Sequence, residues 1–221
     1  MLQIPRAYDR GRKFVTKAHP LKNHLTKKEI PELLTGFTLI ELIVVIAVIG
    51  ILAAIIAPNA FRAIEKAKVS RAKEDARVLR AATEAYYTDI GFLPPDVCRG
   101  DDPGFMRALP YNGDSGGAPN CIDTTTVPAN WQAAAQERWQ GPYLEKWPVF
   151  TPWSGKYDYN YWPLGATRYG VNIPAGCYIG IQRDYSDQNP IPPRSERILV
   201  DDDFDVDGQV NGESQLLLKR L

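Results

Sequence analysis

From Phe37 to Ala57 the chain reads FTLIELIVVIAVIGILAAIIA, 21 residues interrupted only by Thr38, Glu41 and Gly50, and Pro58 closes the run. As a helix this segment would rise roughly 31 Å, which matches a bilayer hydrocarbon core of about 30 Å. A helix in water has no use for apolar residues on every face, so the run reads as a membrane span. A cleaved secretory signal fits poorly, because its apolar region holds about 7 to 15 residues and ends in a small-x-small site. Glu41 is the anomaly. An acidic side chain near one end of a span is costly, and its presence asks for a partner.

Composition adds a polarity to this picture. Lys+Arg and Asp+Glu are both 26, so the net charge is zero. Residues 1–36 nevertheless hold eight basic residues against three acidic ones, and the remainder holds 18 against 23. Whole-chain charge therefore offers no pointer to nucleic acid or to anionic lipid. Seven bases between Arg62 and Arg80 are interleaved by three acids, which reads as a solvated or subunit-packing face. Both histidines, His19 and His24, precede the span, so a chain trimmed at its amino end loses the commonest catalytic base.

Immediately before the run stands KKEIPELLTG, Lys27 to Gly36. The stretch GFTLIELIVVIAVIGILAAIIAP resembles the prepilin signature of type IV pilins and type II secretion pseudopilins. In that family a membrane peptidase cuts on the cytoplasmic side after the glycine and methylates the new amino terminus. Carried over, cleavage falls between Gly36 and Phe37, with Glu41 as the fifth mature residue and Pro58 as the twenty-second. Cleavage would turn the amide of Phe37 into an ammonium, which Glu41 of a neighbouring subunit could pair with in an apolar medium. Each charge is expensive there alone and tolerable together. The resemblance thus implies a processing role for Gly36 and Phe37 and an assembly role for Glu41. Lys and Arg number four in the 20 residues before the span and six in the 20 after it, which does not set the topology. The resemblance places the leader in the cytoplasm of a bacterial cell, a single pass in the inner membrane, and the head in the periplasm or outside.

After Pro58, the residues Phe61, Ile64, Lys68, Ala72, Ala76, Leu79, Thr83, Tyr86 and Ile90 recur every three or four positions, so the helix continues to about Asp89 and stops at Gly91. Such a helix from Phe37 would reach about 80 Å, with a bend possible at Pro58. The expected organisation is a leader over 1–36, a span over 37–57, an exterior half of the spine helix over 58–90 and a globular head over 91–221. In the head, Asn130 to Trp139 reads as a short helix capped by Asn130. Tyr157 to Trp162, Gly176 to Gln182, Ser195 to Val200 and Ser214 to Arg220 read as strands. Loops are expected around Asn112 to Asn120 and Asp187 to Pro193. One long helix followed by short strands implies an α+β fold with an antiparallel sheet packed on the helix. The segments YYTDIGFLP, GPYLEKWP and TPWSGKYDY look like those of the major pseudopilins, the G-type subunits of type II secretion systems.

Three further features bear on chemistry. Asp203, Asp205 and Asp207 followed by Gly208 have the start of a calcium loop, with Gln209 and Asn211 at the next ligand positions. Position twelve is Ser214 rather than Glu, so an EF-hand is not indicated. A structural calcium ion is the expectation, set against an acidic, solvated hairpin tip; major pseudopilins resemble this in holding calcium near the carboxy-terminal end of the head. Of the cysteines Cys98, Cys121 and Cys177, Cys98 with Cys121 is favoured as a disulfide that would pin the loop after the spine, although spacing leaves all three pairings open. All five Trp lie between Trp131 and Trp162 and read as core. No Gly-rich phosphate loop and no zinc spacing is present. The combined expectation is a non-enzymatic subunit of a type II secretion pseudopilus that forms a homopolymer through its spine helix. Its partners would be a prepilin peptidase and the inner-membrane assembly machinery. A type IV or competence pilus subunit and a single-span anchored ligand-binding module are the alternatives.

Overall fold

The computed structural model describes residues 36–110, 121–168, 170–181 and 190–221. The chain divides into two compact units, Met1–Ala47 and Val48–Leu221. Helix α1, Leu39–Ile90, carries Pro58 within it. It ends where Gly91 takes φ 90°, a left-handed conformation that costs glycine little, and the Gly91 N–H closes the last turn on the Tyr87 carbonyl at 2.9 Å.

The second unit is built on the carboxy-terminal half of α1. Val69, Ala72, Ala76, Leu79, Thr83, Tyr86 and Ile90 are buried, a spacing of three and four residues that makes one stripe along the helix. Phe61 and Ile64 stay exposed, so the packed stripe starts later than the sequence pattern suggests. Ala72 and Ala76 bring no bulk, and larger side chains opposite supply the volume. Tyr157, Tyr159, Ile179, Ile181, Leu216 and Leu218 join the same core cluster.

Those partners belong to a three-stranded antiparallel sheet in the order β1-β4-β5, formed by β1 (Tyr157–Trp162), β4 (Gly176–Ile181) and β5 (Ser214–Arg220). Tyr157 faces Ile181 across β1 and β4, and Ile179 faces Leu216 across β4 and β5. The Tyr157 hydroxyl donates to Asp75 of α1 at 2.8 Å, so the polar tip of a core tyrosine is satisfied by the helix it packs on. A separate hairpin, β2 (Ala166–Arg168) with β3 (Val171–Ile173), stands between β1 and β4 in sequence. Periodicity over three residues is too short to have announced it.

Helix α2, Trp131–Arg138, follows the expected bounds, but the Asn130 side chain makes no capping hydrogen bond. The fold is α+β as expected, with one correction. Ser195 to Val200, read as a strand, lies inside helix α3, Pro193–Asp201. Pro193 occupies the first helical position, where its missing N–H is no loss. Ser195, Glu196 and Leu199 turn inward at helical rather than alternating spacing. The loop expected over 112–120 and the start of that expected over 187–193 lie outside the described residues, as does the expected leader apart from Gly36.

Candidate functional site: the helix start and the terminal acidic turn

Gly36 and Phe37 are exposed ahead of α1, Phe37 at 88%. Thr38 precedes the first helical residue and Glu41 is the third residue inside. The Glu41 carboxylate accepts from the Thr38 N–H at 2.8 Å and from the Thr38 hydroxyl at 2.7 Å. In return Thr38 Oγ1 accepts from the Glu41 N–H at 3.2 Å. This reciprocal capping box satisfies two donors that a helix start would otherwise leave open. Glu41 thus has a partner in its own chain besides the one expected in another subunit, and the T-x-x-E spacing is the sequence signal for it.

Beyond the cap, the large apolar residues from Leu39 to Ile56 are 46–75% exposed, and the most apolar stretch of the helix has a mean hydropathy of 3.2 with none of it buried. A continuous apolar surface on all faces is stable only in lipid or against other protein. The arrangement can therefore anchor the chain in an apolar environment.

The terminal acidic turn is organised by inward hydrogen bonds. Asp205 is buried and accepts from Ser214 Oγ at 2.6 Å and from the Gln215 N–H at 3.1 Å. Asp207 accepts from the Gln209 N–H at 2.8 Å and from Asn211 Nδ2 at 3.0 Å. Asp203 stands apart, exposed and with φ 56°. Among the described residues no three His, Cys, Asp or Glu side chains are grouped to hold a metal ion. Of the three aspartates, Asp203 faces solvent while Asp205 and Asp207 are engaged by donors of the turn itself. The turn is instead held by Glu196, whose Oε1 accepts the N–H groups of Asn211, Gly212 and Glu213 at 2.8, 2.8 and 3.1 Å. Sequence alone does not nominate Glu196, because it sits on α3, a segment whose pattern suggests a strand. Burial pushes the Asp205 carboxyl up to about 7, with Asp207 adding to the shift, and burial raises Glu196 as well.

Cys98 and Cys121 are joined by a disulfide, with Cα atoms 5.2 Å apart. The adjoining backbone is tied by the Asp123 N–H to the Asp96 carbonyl at 2.9 Å. Cys177 is a free thiol fully buried in β4. Trp131, Trp147 and Trp153 are buried.

Two matches to known families overlay this geometry. Residues 35–57, spanning the exposed junction, the cap and the apolar helix, match the prokaryotic N-terminal methylation motif. Residues 63–162 match the family described as PilW, C-terminal. The chain is type IV pilin-like. Within this pilin-like chain the first match contains Gly36, Phe37 and Glu41. The second runs from the spine helix through the Cys98–Cys121 loop and α2 to Trp162, the last residue of β1. β4, α3 and β5 lie beyond it. Neither a curated protein nor a solved structure matches the chain significantly.

Proposed function

We propose that this chain is a filament subunit, cut after Gly36 by a prepilin peptidase, methylated at Phe37, stored in the membrane by its apolar span and then polymerised through α1. The observation that carries the reading is the apolar helix surface, 46–75% exposed from Leu39 to Ile56, placed directly behind the methylation-motif junction. Lipid covers such a surface in the stored subunit and neighbouring helices cover it in a filament. Storage and assembly then exchange one apolar environment for another. The capping box holds Glu41 in the first turn of the helix, beside the site where cleavage creates an ammonium. A neighbour's ammonium there would offset the cost of burying the carboxylate.

The machine we propose is a type II secretion pseudopilus. Support comes from the GPYLEKWP segment, whose Tyr143, Leu144 and Trp147 pack on or within the core cluster as an integral part of the head. The PilW match over 63–162 favours the second reading, a type IV or competence pilus subunit. A ligand-binding head draws less support, since Trp131, Trp147 and Trp153 are spent on the core.

The test is the intact mass and amino-terminal sequence of the protein recovered from membranes of cells that express the matching peptidase. The expected product begins at methylated Phe37. A chain that retains residues 1–36 or is cut after Ala57 overturns the reading. Gly36→Val is the paired control: a Cβ at Gly36 would meet nothing within 4 Å, so its effect reports on processing rather than on folding. Loss of protein export or loss of a surface fibre, on deleting the gene, then separates the two machines.

A further inference from the structure

A groove of about 720 Å³ opens between α1 and α3, walled by apolar Pro58, Phe61 and Ile198 and by the cations Arg62, Lys66 and Arg194. One acidic residue, Glu65, also lines it. Its carboxylate is engaged by Ser195 Oγ at 2.7 Å, Trp153 Nε1 at 3.1 Å and Lys68 Nζ at 3.1 Å. The three cations make no ion pair with any carboxylate among the described residues, and all three are exposed. Apolar walls beneath unpaired positive charge select a ligand that is both anionic and greasy.

The groove also lies at a telling depth. The apolar run closes at Ala57. Arg62 and Lys66 follow by five and nine residues, a rise of roughly 7 and 13 Å along a helix. The headgroup layer outside the hydrocarbon core is about 5 to 7 Å thick, and long basic side chains reach back toward it. A phosphate at that level and the upper part of an acyl chain would meet the cations and the apolar wall together.

We infer that this groove binds an anionic phospholipid, its phosphate held among Arg62, Lys66 and Arg194 and its chain along Pro58, Phe61 and Ile198. The bound lipid orients the head on the membrane surface. The inference rests on the membrane span and is independent of whether the subunit forms a filament.

The test uses the full chain in detergent with dioleoyl phosphatidylglycerol or dioleoyl phosphatidylcholine added, read as bound lipid by native mass spectrometry. The expected result is a preference for phosphatidylglycerol of about tenfold or more, falling to near parity in the triple variant Arg62→Gln, Lys66→Gln, Arg194→Gln. The double variant Arg71→Gln, Arg77→Gln removes charges that already face Asp75 and Glu74, and keeps the preference. Equal binding of the two lipids by the unmodified chain overturns the inference, and so does an unchanged preference in the triple variant. Displacement of the lipid by inorganic phosphate at about 10 mM overturns it too, because the site would then recognise phosphate alone. Arg194→Gln alone is the safeguard against misfolding, since its side chain is exposed on α3, and it is expected to lower the preference several-fold. The processing assay described above is unaffected by any of these results, so failure here and failure of the filament reading are distinguishable.

Discussion

The Ser195 hydroxyl of α3 donates to Glu65 of α1 at 2.7 Å, joining residues 130 positions apart. The Trp153 indole N–H reaches the same carboxylate oxygen at 3.1 Å. One half-exposed helix residue therefore holds both α3 and the loop before β1 against the spine.

Removing that acceptor should loosen the head. Glu65→Ala is expected to cost about 1–2 kcal/mol, modest because the carboxylate is partly solvated, and to appear as a lower Tm of the full chain in detergent. Burial raises the Glu65 pKa, but the bonds from Ser195, Trp153 and Lys68 outweigh it and hold the pKa below the usual value. Its contribution is thus present above the unfolded pKa and is lost as pH falls through the folded one. The gap in Tm between the unmodified chain and Glu65→Gln should accordingly shrink in acid; a constant gap would refute the assignment.

Asp205 works with the opposite sign. Burial raises its carboxyl to about 7, so between the unfolded value near 4 and about pH 7 the folded chain holds a proton that the unfolded chain releases. Stability from this group is fully present below that window and declines as pH rises through it. Asp205→Asn keeps an acceptor for the Gln215 N–H, while its NH2 group replaces the oxygen that accepts from the Ser214 hydroxyl, which must turn to accept instead. The substitution is expected to flatten this part of the denaturation profile, between roughly pH 4 and 7. Asp96, raised to about 7, and Asp158, raised to about 6, leave a residual slope of the same sign. Asp203→Asn, at an exposed left-handed position that Asn tolerates, should leave the profile within about 0.5 kcal/mol of the unmodified chain.

Cys177 should behave as an inert thiol. Burial pushes its pKa far above the ordinary range, and a buried neutral thiol is a poor nucleophile. Alkylation of the native chain with iodoacetamide is expected to add no label at Cys177, and alkylation after denaturation to add one. Labelling in the folded state at neutral pH would contradict the packed position in β4.

The capping role of Glu41 and the assembly role proposed for it can be separated at Thr38. Thr38→Val removes the cap hydroxyl but leaves the charge, so it should weaken the helix start by about 1 kcal/mol and leave assembly of the processed subunit largely intact. Glu41→Gln retains a cap acceptor but loses the charge, and is expected to be cleaved normally and to fail to form filaments. Equal assembly defects in both variants, counted by electron microscopy of sheared fibres, would reduce Glu41 to a local cap.

The amino-acid sequence by itself determined the features that depend on local spacing. The apolar run and its Glu41, the helical stripe from Ala72 to Ile90, the stop at Gly91 and the strands at 157–162 and 214–220 are all written in periods of 3.6 or 2 and in turn residues. The tertiary structure alone decided which way ambiguous residues face. The segment Ser195–Val200 alternates well enough for a strand, but Pro193 and the inward pull of Ser195 on Glu65 and of Leu199 on the core make it a helix. That choice brings Glu196 under the terminal turn, where it holds three backbone N–H groups and leaves Asp205 to bind Ser214 and Gln215. Asp203, Asp205 and Asp207 keep equal spacing in sequence, yet burial separates their fates, because the cost of desolvating a carboxylate is set by neighbours that the chain brings in from far away.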